Sequence, residues 1–226
     1  MCLQLLLQCC LPRSLGGLQS TACYICTEGV GAVKRLHELA QVYVERYNAV
    51  TNVGVKRKRG EMIPEFTRSD FLDGIFVEQL YTVDDLIYLM QARLPMLLAE
   101  RDTKLVVLDS VAAVFRLEST SSIKEAAERS RTMFHMVNCM RILSDQYGVV
   151  FVVSNQVTGD FDPFSDRNEM RPALGLSWSH CINQRLMITR VEESTRRLKI
   201  AFSPYLPAET CAFQVTSDGV RPADGD

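Results

Sequence analysis

The stretch K-L-V-V-L-D, residues Lys104–Asp109, decides the fold, because it is an unbroken apolar run that ends in an acid. Such a run is typical of a strand that is buried on both faces of a parallel sheet. Similar runs at Ala22–Thr27 and Val149–Ser154 and a shorter one at Gly74–Glu78 predict three more strands. We therefore expect a mostly parallel, twisted sheet.

Helices are predicted between these strands, because apolar residues recur there at spacings of three and four. The predicted helices are Met1–Pro12, Val33–Glu45, Val83–Arg101 and about Lys124–Tyr147. Strands that alternate with helices along the chain indicate an α/β fold with helices on both faces of the sheet. The sequence thus predicts one domain over residues 1–220.

The pattern changes near the C-terminus. Leu186–Arg190, Arg197–Phe202 and Cys211–Val215 predict short strands joined by turns, which we expect to form an antiparallel extension of the sheet. The polar stretch 48–67 is predicted to be a loop or insertion, and residues 221–226 are predicted to be a disordered tail.

The overall composition excludes some classes of function. The 226 residues carry a formal net charge of −2, so any contact with nucleic acid must be local rather than spread over the surface. No stretch reaches the roughly 18 apolar residues that a membrane span needs, so we expect no membrane partner. Cys23 and Cys26 have the C-x-x-C spacing of a metal site, but residues three apart on a strand point to opposite faces, and the other cysteines show no ligand spacing. All are expected to be buried thiols.

Polar side chains follow three of the predicted strands. Glu28, Asp109, Ser110 and Gln156 stand at strand ends, and ligands bind beyond the carboxyl ends of strands in open parallel sheets. Asp109 ends a strand of Walker B form, whose carboxylate holds a magnesium ion, often through water. Glu28 is suited to activating a water, and Gln156 to sensing a terminal phosphate. The alternative is that each acid only caps the following helix or turn.

Five motifs occur in the order seen in eukaryotic recombinases of the RecA type. They are Y-I-C-T-E-G (Tyr24–Gly29), L-V-V-L-D-S-V-A-A-V-F-R (Leu105–Arg116), V-V-S-N-Q-V-T (Val152–Thr158), P-A-L-G-L-S-W (Pro172–Trp178) and S-P-Y-L-P (Ser203–Pro207). The chain resembles the paralogues of the strand-exchange recombinase from Leu3 to Val220. D-S-V-A-A and S-P-Y-L-P…C-A-F resemble one DNA-repair paralogue of that family in particular.

This resemblance implies a RecA-like ATPase core and a role for each matching residue. Glu28 matches the acid that activates water, Asp109 the magnesium carboxylate, and Gln156 the glutamine that links the nucleotide site to the second DNA loop. Leu117–Lys124 and Gly159–Arg171 match the first and second DNA loops.

The resemblance also implies a function. It is that of an ATP-linked, DNA-dependent factor in homologous recombination of double-strand breaks, acting in a heteromeric complex with other recombinase paralogues. Its cofactors would be ATP and magnesium. We expect the nucleus as its location, with some protein in the cytoplasm.

The chain departs from the family at the phosphate-binding loop. That loop needs G-x-x-x-x-G-K-[ST], and no Gly-Lys pair occurs in the 226 residues. The sequence is expected to begin just downstream of the loop, so we expect this chain alone to bind ATP weakly and to be inactive. An alternative function is a non-catalytic interaction module that keeps the RecA fold and binds no nucleotide.

The predicted DNA loops have little positive charge. Residues 159–171 contain two arginines, Arg167 and Arg171, and four acids, which gives a net charge of −2 and predicts weak binding of single-stranded or branched DNA. Lys124 is the cation of the first loop. Phe161 and Phe164 either stack on bases or pack locally.

Four consecutive cations, Lys56, Arg57, Lys58 and Arg59, form a basic run. It is suited to nuclear import or to a DNA contact. The alternative is a solvated cluster of charges in a loop.

Overall fold

The computed structural model describes residues 1–29, 31–54, 65–116, 122–159 and 170–223. The chain divides into two compact units. The first unit contains residues 2–119 and 138–156, and the second contains Met1 and residues 120–137 and 157–226.

The first unit contains the predicted parallel sheet. Its strands are β1 (Thr21–Cys26), β2 (Ile75–Gln79), β3 (Thr103–Asp109) and β4 (Val150–Val153), in the order β2-β1-β3-β4. All three pairings are parallel. In β1 and β3, residues that point to either face of the sheet are buried. Both faces of the sheet are therefore covered, as a continuous apolar run predicts.

Six helices of the described residues lie in this unit, and the residues of a seventh are divided between the two units at 137/138. They are α1 (Cys2–Cys10), α2 (Gly31–Gly54), α3 (Arg68–Leu72), α4 (Val83–Tyr88), α5 (Leu94–Glu100) and α6 (Val111–Arg116), followed by α7 (Ile123–Tyr147). Helix α1 packs against two neighbouring parts of the unit through adjacent leucines. Leu6 packs on the sheet beside Tyr24 and Val107, whereas Leu7 packs against Leu36 and Phe71 from α2 and α3.

The prediction of a loop over 48–67 was wrong at its start, because α2 continues to Gly54. Asn48 is still helical, and its side-chain amide binds both backbone groups of Phe66, at 2.9 and 2.8 Å. Phe66 in turn contacts Phe71 in a cluster of aromatic rings. Tertiary packing therefore stabilises the C-terminal part of α2, although its polar composition predicted a loop. Residues 55–64 lie outside the described part of the chain.

The helix predicted over Val83–Arg101 contains one irregular turn. Leu89–Arg93 forms a single π-helical turn between α4 and α5. Pro95 follows this turn and has no backbone N–H, and its ring would clash with the carbonyl of Gln91 in a regular helix. A wider turn removes that clash and lets the helix continue to Glu100.

The second unit contains the predicted antiparallel strands. A short pair, β5 (Val157–Gly159) and β6 (Met170–Pro172), precedes α8 (Gly175–Cys181) and then β7 (Arg185–Arg190), β8 (Thr195–Phe202), β9 (Thr210–Thr216) and β10 (Gly219–Pro222). Strands β7 to β10 form a sheet of their own, in the order β10-β9-β8-β7, and not an extension of the parallel sheet. Each of these strands pairs with its neighbour in sequence, so short turns can complete their hydrogen bonds locally.

The tail begins later than predicted. Arg221 and Pro222 belong to β10, where they pair with Gln214 and Phe213. Residues 224–226 lie outside the described part. Among the helices that the structure describes, none is both long and apolar enough to cross a membrane.

Candidate functional site

The carboxyl ends of β1, β3 and β4 meet at one edge of the parallel sheet. Cys26 pairs with Asp109, and Leu108 pairs with Val153. The hydrogen bonding continues beyond the strands, because the Thr27 N–H donates to the Asp109 carbonyl at 3.0 Å. This register places side chains from three strand ends together, as expected for a ligand site in a parallel sheet.

Glu28 is held by donors from the other two strand ends. Its Oε1 accepts a hydrogen bond from the Ser110 hydroxyl at 2.7 Å and another from the Gln156 amide, Nε2, at 2.5 Å. Glu28 itself is exposed. The structure thus brings together three of the residues predicted from the sequence, with the carboxylate oriented by two donors and open to solvent.

Asp109 is held on both of its oxygens. Its Oδ1 accepts from the Ser154 hydroxyl at 2.5 Å, and its Oδ2 accepts from the phenol of Tyr24 at 3.1 Å. Burial raises the pKa of Tyr24, and the negative charge of Asp109 raises it further. The phenol therefore remains a proton donor throughout the neutral range, and the carboxylate is fixed in orientation.

Ser110 and Thr27 form a buried pair beneath these carboxylates. The Ser110 N–H donates to the Thr27 hydroxyl, which donates in turn to the Ser110 carbonyl, both at 2.8 Å. The peptide bond between Asp109 and Ser110 is cis. These bonds fix the backbone that carries both Asp109 and the Ser110 hydroxyl.

Sequence reasoning missed Tyr24, Ser154 and Thr27. A usable signal existed for two of them. Tyr24 stands two residues before Cys26, the partner of Asp109, and so lies on the same face of β1. Ser154 directly follows β4, as Ser110 follows β3. The role of Thr27 depends on a backbone contact that no sequence spacing predicts.

The first turn of α1 lies beside this edge of the sheet. Cys2 packs against the buried cluster that contains Cys26 and Tyr24. Burial raises the pKa of the Cys2 thiol, and the charge of Asp109 contributes to the rise. The start of α1 and Asp109 are therefore close in space.

The residues present supply only part of a nucleotide site. Carboxylate and hydroxyl oxygens from Asp109, Ser154 and Glu28 suit a magnesium ion, directly or through water. Within the described ranges, no three His, Cys, Asp or Glu side chains are grouped to hold a metal by themselves. A triphosphate also needs a ring of backbone donors and a lysine, and no segment of the sequence has that pattern. ATP therefore does not fit this chain's residues alone.

Two of the predicted DNA-contacting residues, Lys124 and Arg171, lie in the described part of the second unit. Lys124 lies in the first turn of α7, at the start of the predicted helix, and its Nζ is 4.0 Å from Oε1 of Glu128. Arg171 lies in β6. The other predicted residues lie outside the described ranges: Phe161, Phe164, Arg167, and the basic run Lys56, Arg57, Lys58 and Arg59.

Comparison with known proteins identifies the family. The Rad51 family model matches residues 64–223, well over half of the chain. The mouse DNA repair protein XRCC3 is 30% identical over 246 residues, covering 98% of this chain and 66% of that protein. The bovine XRCC3 is 33% identical over 237 residues, covering 98% and 65%, and the Arabidopsis thaliana XRCC3 homolog is 29% identical over 259 residues, covering 97% and 81%.

This chain thus spans about two thirds of the mouse and bovine proteins that it matches. The predicted likeness to one DNA-repair paralogue, the third X-ray repair cross-complementing protein, is confirmed by these relatives. The RecA-like α/β fold expected from the motifs is confirmed by the family match and by the parallel sheet. The chain belongs to the Rad51 family.

Proposed function

We propose that this chain acts in DNA repair, in homologous recombination of double-strand breaks, as one subunit of a complex of recombinase paralogues. Membership of the Rad51 family and the names of its relatives support this function. The observation that carries it is the contact between Gln156 and Glu28, which joins the ends of β4 and β1 at 2.5 Å.

The geometry gives each residue of the site a proposed role. Glu28, exposed and held by Ser110, orients or deprotonates a water. Gln156 is the sensor, because its amide can bind either Glu28 or an anion at the same place, but not both at once. It immediately precedes β5, which leads toward the second predicted DNA loop. A change at the site would therefore reach the loop through two residues of backbone.

The function is tested by a reporter in which a chromosomal break is repaired from a homologous template. In cells that lack this protein, the wild-type chain should restore repair and should co-purify with other recombinase paralogues. Gln156→Ala should lower repair severalfold, because it removes the sensor. Cys211→Ala, an exposed change far along the sequence, is the matched control. Unchanged repair in cells without the protein would contradict the proposal.

ATP and magnesium are proposed as cofactors of the complex and not of this chain in isolation. We expect the isolated chain to bind MgATP very weakly and to hydrolyse it negligibly, because it lacks the Gly-Lys pair of a phosphate-binding loop. Calorimetry with wild-type protein and with Asp109→Asn should give the same weak signal. Micromolar affinity that Asp109→Asn abolishes would show that a phosphate site exists in this chain.

A second candidate function is that of an interaction module that binds no nucleotide. The lack of a phosphate-gripping sequence favours it. The double variant Glu28→Gln/Asp109→Asn distinguishes the two functions in the same reporter. Full repair activity by this variant, with partners retained, would favour the module, whereas lost repair with partners retained would favour the nucleotide-linked function.

The proposed partners and location follow from the same function. We expect weak, salt-dependent binding of single-stranded DNA, roughly in the range of 0.1 mM to 1 µM that is common for non-specific contacts. The proposed site of action is the nucleus, with Lys56–Arg59 contributing to import. Replacement of these four cations by alanine should reduce the nuclear signal of a tagged protein, and an undiminished signal would remove that role.

A further inference from the structure

Polar side chains predominate on one face of the antiparallel sheet of β7–β10. Cross-strand partners share a face, and so do residues two apart on one strand. Arg197 and Lys199 of β8 therefore share a face. The register adds Thr189, Thr195, Thr210, Ala212, Gln214 and Arg221 to it, together with the apolar Met187, which is the cross-strand partner of Lys199. The opposite face is mostly apolar and includes Leu198 and Phe213, with Arg190 and Arg196 paired at one end of it.

The polar face is open to solvent at its two central cations. Arg197 and Lys199 are exposed, whereas Leu198 and Ile200, which alternate with them, are half-buried. Neither cation forms an ion pair within the part of the chain that the structure describes. Arg221, at the edge of the same face, is paired with Asp218 at 2.5 Å. The two central cations are therefore available to an anionic ligand.

The acids of this region stand beside the strands and not on the polar face. They are Glu192, Glu193, Glu209 and Asp218, all of which precede or connect strands. Residues 185–222 contain six cations and four acids, a net charge of +2, in a chain whose net charge is −2. The antiparallel sheet thus carries local positive charge that the composition of the whole chain conceals.

We propose that this polar face, centred on Arg197 and Lys199, binds the phosphate backbone of a nucleic-acid strand. The choice of a nucleic acid over other polyanions rests on the proposed repair function. The Cα atoms of the two cations are about 7 Å apart, from a rise of about 3.4 Å per residue. This separation is comparable with that of successive phosphates along an extended strand. The hydroxyl of Thr189 and the amide of Gln214 supply further donors to phosphate oxygens.

The binding is independent of base sequence. The cross-strand partners of Arg197 and Lys199 are not aromatic: they are Thr189 and Ala212 for Arg197, and Met187 and Thr210 for Lys199. Bases are therefore not stacked by this face, and the contacts are electrostatic. They supply the cations that the net acidic second loop does not.

Fluorescence anisotropy with a labelled single-stranded oligonucleotide tests the proposal on the whole chain. Each single-strand phosphate contact contributes about 0.7 to the slope of the logarithm of the binding constant against the logarithm of salt concentration. Arg197→Gln/Lys199→Gln removes two contacts and should reduce the slope by about 1.4. At about 0.15 M salt this corresponds to a roughly tenfold weaker binding constant.

Two double variants are the controls. Lys34→Gln/Arg46→Gln removes two exposed cations from α2, with the same change in net charge, and should bind like the wild type. Arg197→Lys/Lys199→Arg keeps both charges on the face and should retain most of the binding. Equal losses in the α2 variant and the β8 variant would overturn the proposal, because they would show an effect of net charge alone.

Anionic phospholipid vesicles serve as a second probe. If the face binds vesicles and not the oligonucleotide, its assignment to nucleic acid is overturned. Absence of salt-dependent oligonucleotide binding by the wild-type chain also overturns it. The repair reporter is a separate measurement, so failure at this face and failure of the proposed repair function can be distinguished.

Discussion

The parallel and antiparallel sheets contain strands of similar length that are buried very differently. In β1 and β3 almost every residue is buried, whichever face it points to. In β8 exposed and half-buried residues alternate, and β7 leaves Leu186 54% exposed and Ile188 45% exposed. Helix-covered parallel strands must be apolar throughout, whereas antiparallel strands can present one face to water.

This difference explains where each sheet can carry chemistry. The faces of the parallel sheet are covered, so only its strand ends can hold reactive groups, and Glu28 and Asp109 stand there. The antiparallel sheet has little at its strand ends but an open face with Arg197 and Lys199. Matched substitutions, one in each unit, test whether the two sheets differ in burial in solution as they do in the structure.

The largest effect is expected from shortening a leucine in each sheet. Leu108 of β3 is fully buried, so Leu108→Ala should lower the free energy of unfolding by about 2–5 kcal/mol through lost contacts and a cavity. Leu186→Ala in β7 should cost less than about 1 kcal/mol, because that side chain is already half in water. Denaturant unfolding followed by circular dichroism measures both. Equal losses would mean that the face of β7 is covered in solution.

An intermediate effect is expected at alkaline pH. Burial raises the pKa of the Cys23 thiol from 9.0 to about 12, and the charge of Glu78 adds to the rise. Above pH 9 the unfolded chain loses this proton while the folded chain keeps it, so stability that is complete below pH 9 falls as pH rises toward 12. The Cys23 thiol should contribute at most about 1.4 kcal/mol per pH unit to this slope, and burial of Cys10, whose pKa is also raised to about 12, adds to it.

Cys23→Ala should flatten that slope, and Cys211→Ala, which alters an exposed thiol in β9, should leave it unchanged. Urea unfolding at a series of pH values between neutral and alkaline measures the slopes. If Cys23→Ala and the wild type lose stability in parallel, the thiol is not the group responsible.

The smallest effect is expected from removing one hydroxyl in each unit. Tyr24→Phe removes the donor to Asp109 and should cost about 1–2 kcal/mol, because a partly buried carboxylate loses a hydrogen bond. Tyr205 is 70% exposed, and its hydroxyl accepts from the Gln184 side chain, so Tyr205→Phe should be close to neutral. Thermal unfolding compares them. A neutral Tyr24→Phe would mean that Ser154 alone suffices to hold Asp109.

Much of the parallel sheet was predictable, because its strands are unbroken apolar runs whose pattern does not depend on distant residues. The four predicted strands agree with the structure to within about two residues at each end. The same reasoning missed α3 and β10, which are short and are stabilised by partners elsewhere, as Phe71 is by Tyr43 and Arg221 by Gln214. Short elements carry too few residues for a period to be read.

The candidate site was predictable in part for a related reason. Glu28, Ser110 and Gln156 follow apolar runs, so parallel strands bring them to one edge of the sheet whatever surrounds them. The residues that hold Asp109 were missed: their positions along β1 and after β4 gave a signal, but the contacts of the Tyr24 and Ser154 hydroxyls depend on register and packing. The helix predicted at about Lys124–Tyr147 agrees with α7 to within one residue, whereas the assignment of Lys124 to a DNA loop stays a prediction.

The sequence by itself determined the alternation of buried strands and helices, the family motifs and the absence of a Gly-Lys pair, because these are properties of residue order. Only the tertiary structure decided that the C-terminal strands form a separate sheet and that Arg197 and Lys199 share an open face. It also decided that both oxygens of Asp109 are occupied. These outcomes depend on the hydrogen-bond register between strands. A register shift of one residue would move every side chain of a strand to the other face, and the sequence of a single strand does not specify the register.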